Sequence, residues 1–536
     1  MTGLRTPIHR RTVLGGLAGT GLVPAASRAV ARAPVKGGVL RVLLDPEPPT
    51  LLTLTNTAGV SLYTSSKTNE GLLTYDFNLN PGPQLATSWS VSPDGLEYTF
   101  KLRPGVRWHD GTPFTSADVA FSIATLKEVH PRGRGTFANV KDIATPDALT
   151  AVLKLSRPAP YLLTALAASE TPIVPRHLLE GQTIVGHPLN DAPVGTGPDR
   201  FKEWVRGSHI IYERNPDYWD QPKPYIDRIV FVIMPDAAAR SAAVESGAID
   251  LAPGAPVPLS DFDRLKQKPR LRFVTEGYEY INSVYRIEFN LDRPYLAKRQ
   301  VREAIAHAID RKQLLQIALL GYGDVSLGPI SPYLKRFAAP DLPFYPLDLK
   351  RAEQLLDEAG YPRVSGAPRL KLVHDPLPYG EPFRRAGDFI RNALGRIGIE
   401  VTIRSQDFAT YIHRVYTDRD FDFTFNSMSN LFDPTVGVQR LYWSKNFRVG
   451  VPFSNGSHYV SAETDRLLEA AAVETDPAKR LQEFTAFQRQ VIQDLPDITV
   501  AAVYYATIAD RKVIDHTLTA DGICGNLAKV YIDPSA

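Results

Sequence analysis

Between residues 369 and 426 the chain alternates short extended runs with amphipathic helices, and no other feature narrows its fold so far. The strand "RLKLVH", a helix carrying Phe383, Ile390, Leu394 and Ile397, the strand "IEVTIRS", a helix near 408–416 and the strand "FDFTFN" make a βαβαβ pattern. Strands separated by helices of that size need crossover connections, which predicts an α/β sheet there. At 536 residues the chain is long enough for about three or four domains. Hydrophobic residues at 43%, charged residues at 22%, 44 Pro and 37 Gly describe a folded, loop-rich protein rather than a disordered or coiled-coil one.

Other elements follow from local patterns. Val39–Leu44 is an apolar run between Gly37-Gly38 and "DPEPPT", which predicts a buried strand. Leu96, Tyr98, Phe100 and Leu102 alternate with polar residues, as do Leu149, Ala151, Leu153 and Leu155, so each predicts a half-buried strand. In "VRWHDGTPF" the pair Asp110-Gly111 marks a hairpin, and Thr115 with Asp118 has capping-box spacing ahead of Val119, Ile123 and Leu126. Ile229, Phe231 and Ile233 form a strand leading through Asp236, an N-cap, into an Ala-rich helix. Val301, Ile305, Ala308, Ile309, Leu315 and Leu319 give one helical apolar face ended by Gly321.

Residues 1–33 read as an export address. Arg10-Arg11 precedes a weakly apolar run from Val13 to Val23 and small residues from Ala25 to Ala33, and "HRRTVLGG" resembles a twin-arginine signal. The segment holds five Arg and no acid. Taking those five from 61 Lys+Arg leaves 56 against 58 Asp+Glu, a balance of −2. A general affinity for nucleic acid or anionic lipid thereby loses its electrostatic support. The single cysteine, Cys524, permits no intramolecular disulfide and offers the signal no thiol for a lipid anchor. A soluble periplasmic protein is expected, without an anchor.

The search for chemistry finds little. No His-Glu-x-x-His motif, phosphate-binding Gly-Lys-Ser/Thr motif or Gly-x-Ser-x-Gly elbow occurs, and "GTG" at Gly195–Gly197 lacks the third glycine of a dinucleotide fingerprint. No catalytic residue, metal site or cofactor is expected. His109, His413 and Trp108 read as structural.

The blocks "LATSWSVSPDGLEYTFKLRPGVRWHDGTPFTSADVAFS" (85–122), "PVGTGPDRFKEW" (193–204), "VREAIAHAIDRKQLLQIALLGYG" (301–323) and "DLKRAEQLLDEAGYP" (348–362) resemble the extracytoplasmic solute-binding proteins of ABC importers, in the family of dipeptide, oligopeptide and nickel-complex binders (family 5). The resemblance implies a large two-lobed, type II periplasmic binding protein fold with an additional small β-rich domain. Lobe I would comprise 37–75, 205–285 and 500–536, the extra domain 76–204 and lobe II 286–499. A monomer would capture a small peptide-like, conjugated or chelated solute between its lobes and deliver it to a membrane permease whose ATPase supplies the energy. A secreted hydrolase on the same scaffold, or a sensor for a membrane receptor, are the competing readings.

The resemblance also suggests ligand contacts. "PYGEPFRRAGDFI" looks like the segment in which an Arg at the start of a lobe II helix receives a ligand carboxylate, and Arg384 and Arg385 both fall on it. A guanidinium offers a carboxylate a bidentate fork, although two solvated helix-face arginines fit the spacing equally well. In the peptide binders an Asp three positions before the acidic residue of an acid-Pro pair holds the α-amino group; here Asp433-Pro434 is that pair and the position is Asn430. An amide brings no counter-charge, so the free-peptide reading weakens. Asp433 supplies charge nearby or sets the turn. Phe432, Tyr442 and Trp443 are candidate pocket walls, with Tyr63 and Ser65 reaching the cleft from the N-terminal stretch.

Overall fold

Val39–Leu44 lies parallel to Arg228–Ile233, pairing Val42 with Phe231, and parallel to Leu251–Ala252 through Val42 and Leu251. These strands sit in a seven-stranded sheet whose order is 271–274, 507–510, 251–252, 39–44, 228–233, 209–214, 199–205. In "VLRVLL", Leu40, Val42 and Leu44 join one core with Ile229, Phe231 and the helix Gly59–Thr68, whereas Leu43 joins Val244, Leu265 and Ile508 on the other face. Burial on both faces explains why the run is nearly all apolar. The computed structural model describes residues 33–254 and 256–535, so the export segment expected at 1–33 lies, but for Ala33, outside the described residues.

A six-stranded sheet takes the order 323–325, 497–503, 283–289, 423–429, 370–374, 399–403. The βαβαβ pattern is present in it. Leu370–His374 and Ile399–Ile403 are parallel, the helix Glu381–Arg396 crosses between them, and His374 pairs in parallel with Phe423. A four-stranded antiparallel sheet in the order 86–91, 97–102, 150–155, 140–147 forms the smaller β-rich part. The helix Ser116–Val129 covers it with Val119, Ile123 and Leu126 and starts in a capping box of Thr115 and Asp118. No helix among the described residues is long and apolar enough to cross a membrane.

Two expectations shift. The single helix read over 301–319 is two, Arg299–Ala308 and Arg311–Leu319, because Asp310 accepts the Gln313 N–H as an N-cap and starts a new helix. Gly321 does follow the second helix, but Leu320 already turns left-handed there at φ 53°. Asp199–Val205, expected on the extra-domain side of 204/205, pairs with His209–Arg214 as the outer strand of the seven-stranded sheet. The strands Ser283–Phe289 and Asp497–Val503 likewise run through the breaks expected at 285/286 and 499/500 and belong wholly to the six-stranded sheet.

The "GTG" turn has a packing role. His109 Nδ1 accepts the Gly195 N–H at 3.2 Å and its Nε2 meets the Gly197 carbonyl at 3.0 Å. Burial lowers the His109 pKa to about 4, so the ring stays neutral. A methyl group at Gly195 would collide with the Thr68 carbonyl. Gly195→Ala is therefore expected to cost about 2–4 kcal/mol, read as a lowered thermal midpoint.

Next to that turn, Lys67 is fully buried, with Nζ on the carbonyls of Ile523 (2.8 Å) and Gly525 (2.5 Å) and on Ser66 Oγ (3.0 Å). Burial lowers its pKa to about 8 and raises Asp199 to about 8 and Asp521 to about 7. A carboxyl whose folded pKa is raised holds its proton more tightly folded than unfolded, so its contribution to stability declines as pH climbs from about 4 to the folded value. Asp199→Asn removes that decline. The midpoint of the variant should gain on the wild type steadily from about pH 5 to 8; parallel curves would refute the assignment.

Candidate ligand-binding cleft

Strand directions fix where a ligand can sit. The chain leaves the seven-stranded sheet at Val274, enters the six-stranded sheet at Ser283, and returns from Val503 to Thr507. Val274 pairs with Thr507 beside Ala252, so both crossings leave lobe I at the carboxyl ends of its parallel strands. Ser283 pairs with Ser429, and Ser429, Tyr379 and Phe408 all follow the direction of parallel strands 423–429, 370–374 and 399–403. The two sheets thus turn their carboxyl edges toward the same crossings, the place where open α/β sheets bind ligands.

Phenols furnish the crossings. Tyr278 Oη accepts the Gly254 N–H at 2.7 Å and shares a hydrogen bond with Thr507 Oγ1 at 2.7 Å. Its ring lies 5.5 Å from Tyr505, whose hydroxyl donates to Ser283 Oγ at 3.3 Å. Tyr63 rises from the helix Gly59–Thr68 against Gly254, where a Cβ would come within 2.5 Å of its hydroxyl oxygen; the left-handed φ of 75° there also favours glycine. Burial beside Tyr278, Cys524 and Tyr505 pushes the Tyr63 pKa well up, so these hydroxyls act as neutral hydrogen-bonding groups.

On lobe II a run of contacts follows this edge. Ser283 Oγ meets Ser429 Oγ at 3.1 Å, and the Ser429 carbonyl accepts from Arg440 Nη2 at 3.2 Å. Arg440 Nη1 donates to the Phe453 carbonyl. The Phe453 ring stacks toward Phe408 at 6.3 Å, Phe408 on Tyr379 at 5.4 Å, and Tyr379 meets Phe383 at 6.2 Å. Phe383 touches Tyr285 at 5.0 Å, and Tyr285 is the cross-strand partner of Ser427. Ser427, small and partly exposed, shares a sheet face with Tyr285 near this edge, whereas Arg440 neighbours Arg286 and Glu288 of the alternate face. Burial, reinforced by Arg132 and Arg286, lowers the Arg440 pKa to about 10, which leaves it a cation at neutral pH.

The sequence matches the family described as "Bacterial extracellular solute-binding proteins, family 5 Middle" over residues 80–448. The chain belongs to this family. It is 30% identical over 427 residues, 77% of each chain, to a putative ABC transporter peptide-binding protein of Brucella ovis, and 27% identical over 481 residues, 86% of each, to the oligopeptide-binding protein AppA of Bacillus subtilis. Among solved structures, AgaA of A. tumefaciens R10 in complex with agropinic acid matches with TM-score 0.77 at 26% identity, covering 92% of this chain and 99% of that one. The two-lobed fold is that of family 5 solute-binding proteins.

Within this solute-binding protein the residues singled out from sequence divide. Tyr63 reaches the cleft. Ser65 does not: it is fully buried and bonds Thr53 at 3.2 Å. Arg384 is 71% exposed and pairs with Glu381 at 2.6 Å, whereas Arg385 donates to the Ala318 carbonyl at 2.8 Å and so caps the helix Arg311–Leu319. Asn430 is fully buried, with Oδ1 accepting the Ser331 N–H at 2.5 Å, so its acceptor is already used within the fold. Phe432 stacks on Tyr280 at 4.5 Å in the core, and Tyr442 donates to Asp497 at 2.6 Å inside a buried network with Arg286. Trp443 packs at the core margin and donates to Glu469 at 2.8 Å.

Asp433 is structural as well. Its oxygens take two 2.8 Å bonds from Arg480, and it caps the short helix Pro434–Gly437 through the Thr435 N–H. The residues missed by sequence reasoning are Tyr278, Tyr505, Ser427, Arg440, Tyr379 and Phe408; position just past the ends of parallel strands was the available signal for Tyr379 and Phe408. Arg480→Ala strands a buried carboxylate and is expected to cost about 3–5 kcal/mol, while Arg480→Met with Asp433→Asn should restore most of that loss in denaturant titrations. Additive costs of the two changes would contradict the pairing.

Proposed function

We propose that this solute-binding protein captures a small peptide-like or carboxylate-bearing solute between its lobes. The chain is the substrate-binding component of an ABC import system, a monomer that hands its solute to a membrane permease whose ATPase drives transport. One observation carries the reading: two sheets turn their carboxyl edges to a common cleft and are joined through residues 275–282 and 504–506 alone among the described strand connections. Two short crossings let the lobes hinge, and closure proceeds to the extent that the solute binds the closed form more tightly than the open one. The protein acts by binding and leaves its solute unchanged. It works outside the cytoplasmic membrane, in the periplasm, without a lipid anchor.

Free dipeptides fit poorly. Asn430 has spent its acceptor on Ser331, and Asp433 has spent its charge on Arg480, so neither offers a counter-ion to an ammonium group. Blocked peptides and amino-acid conjugates avoid that cost. Native mass spectrometry of the purified protein should reveal one bound solute of small mass, released intact, and small-angle scattering should register contraction when it is added back. Conversion of the solute to a product, or an unchanged radius of gyration with the solute bound, would overturn this reading.

A further inference from the structure

The crossings between the lobes are lined by hydroxyl groups in direct contact. Tyr278 Oη takes the Gly254 N–H and bonds Thr507 Oγ1, the Tyr278 ring lies 5.5 Å from Tyr505, Tyr505 donates to Ser283 Oγ at 3.3 Å, and Ser283 Oγ meets Ser429 Oγ at 3.1 Å. Tyr505 and Ser429 both touch Ser283 Oγ, so less than the length of a six-carbon chain separates their hydroxyls. Tyr63 arrives from lobe I against Gly254, close enough for its phenol to feel those of Tyr278 and Tyr505. The hydrogen bonds of this cluster leave the Tyr63 hydroxyl without a partner among the described residues. Tyr63, Ser429 and Tyr505 are each partly exposed.

Charge is missing from this wall. Asp324 accepts the hydroxyls of Tyr504 and Tyr333 at 2.7 and 3.0 Å, Glu279 accepts the Gly277 N–H at 2.9 Å, and Arg440 gives its donors to the carbonyls of Ser429 and Phe453. The groups that act on Tyr63, Tyr278, Tyr285 and Tyr505 are one another, Cys524, Thr507, Gly254 and Ser283, with no carboxylate, guanidinium or ammonium among them. An ion lodged here would lose its water without gaining a counter-ion. Hydroxyls, by contrast, both donate and accept, and the proton between Ser283 and Ser429 can run either way. A guest group that also does both fits either direction, and bonds in such a chain strengthen one another.

We infer that the part of the solute held between the crossings is an uncharged polyhydroxyl chain, hydrogen-bonded by Tyr505 and Ser429 and closed over from lobe I by Tyr63. The inference rests on the solute-binding reading above and narrows it. Any carboxylate or ammonium of the solute lies away from the crossings, and among the conjugates admitted above those with a sugar-like portion are selected.

Calorimetric titration of the full chain, dialysed free of solute, with N-gluconoylglycine, N-hexanoylglycine and N-(6-aminohexanoyl)glycine separates hydroxyls from apolar area and from charge, because the three share a six-carbon acyl chain. N-Gluconoylglycine should bind at least about tenfold more tightly than either of the others, a factor worth about 1.4 kcal/mol. Apolar burial alone would set the opposite order for the hexanoyl compound. Tyr505→Phe combined with Ser429→Ala should erase the preference for gluconoyl over hexanoyl. Tyr63→Phe breaks no hydrogen bond within the protein, so a folding defect does not mask its effect, and it should reduce that preference severalfold. If a protein that contracts with its co-purified solute ignores N-gluconoylglycine at about 5 mM, binds N-hexanoylglycine as tightly, or keeps its preference in the variants, the polyhydroxyl assignment is wrong while import remains. Failure to contract with any solute removes the import reading itself.

Discussion

The path of the chain between its two sheets governs everything else in the molecule. A strand pairs in one direction once its neighbours are set, and the antiparallel pairing of Val274 with Thr507, of Ser283 with Ser429 and of Val284 with Ala502 fixes the edge at which each crossing departs. Because the crossings are only a few residues long, those edges must face each other. The cleft is therefore a consequence of pairing geometry, and the side chains around it are those that follow the last residue of each parallel strand. Tyr278 and Tyr505 sit in the crossings themselves and tie Gly254, Thr507 and Ser283 together, so lobe I and lobe II meet through phenols rather than through ion pairs.

Charge is distributed by the same economy of burial. An isolated ion inside a protein is expensive, and the interior here answers with partners: Arg480 with Asp433, Arg286 with Glu288 and Asp497, Arg132 with Glu170. Lys67 is the contrasting case, held by carbonyl oxygens near two carboxyls whose protons are retained by burial. Arg302, Arg311 and Arg440 depart from that pattern, each guanidinium resting on carbonyl oxygens alone. The stacked rings of Tyr379, Phe408 and Phe453 lie along the lobe II edge of the cleft.

Local patterns were legible where the physics is local. The capping box of Thr115 and Asp118, the N-cap at Asp236 and the alternation of Tyr98, Phe100 and Leu102 each depend on residues within a few positions, and each forms as expected. The break at Asp310 was missed because the apolar spacing continues across it while a cap interrupts the backbone. Asn430, Asp433, Phe432 and Tyr442 sit on the loop that the resemblance marks, yet their partners Ser331, Arg480, Tyr280 and Asp497 come from distant parts of the chain. No local signal announces that an aspartate's charge is already taken by an arginine 47 positions on.

The sequence by itself determined the α/β character, the strand and helix periodicities and the family, because hydrophobic period, caps and contiguous family-like blocks are written in neighbouring residues. Tertiary structure alone decided which polar groups remain unspent. Satisfaction of a buried donor or charge is a property of whatever the fold brings within about 3 Å of it: Arg480 found a carboxylate inside the molecule, whereas Arg302, Arg311 and Arg440 found carbonyl oxygens.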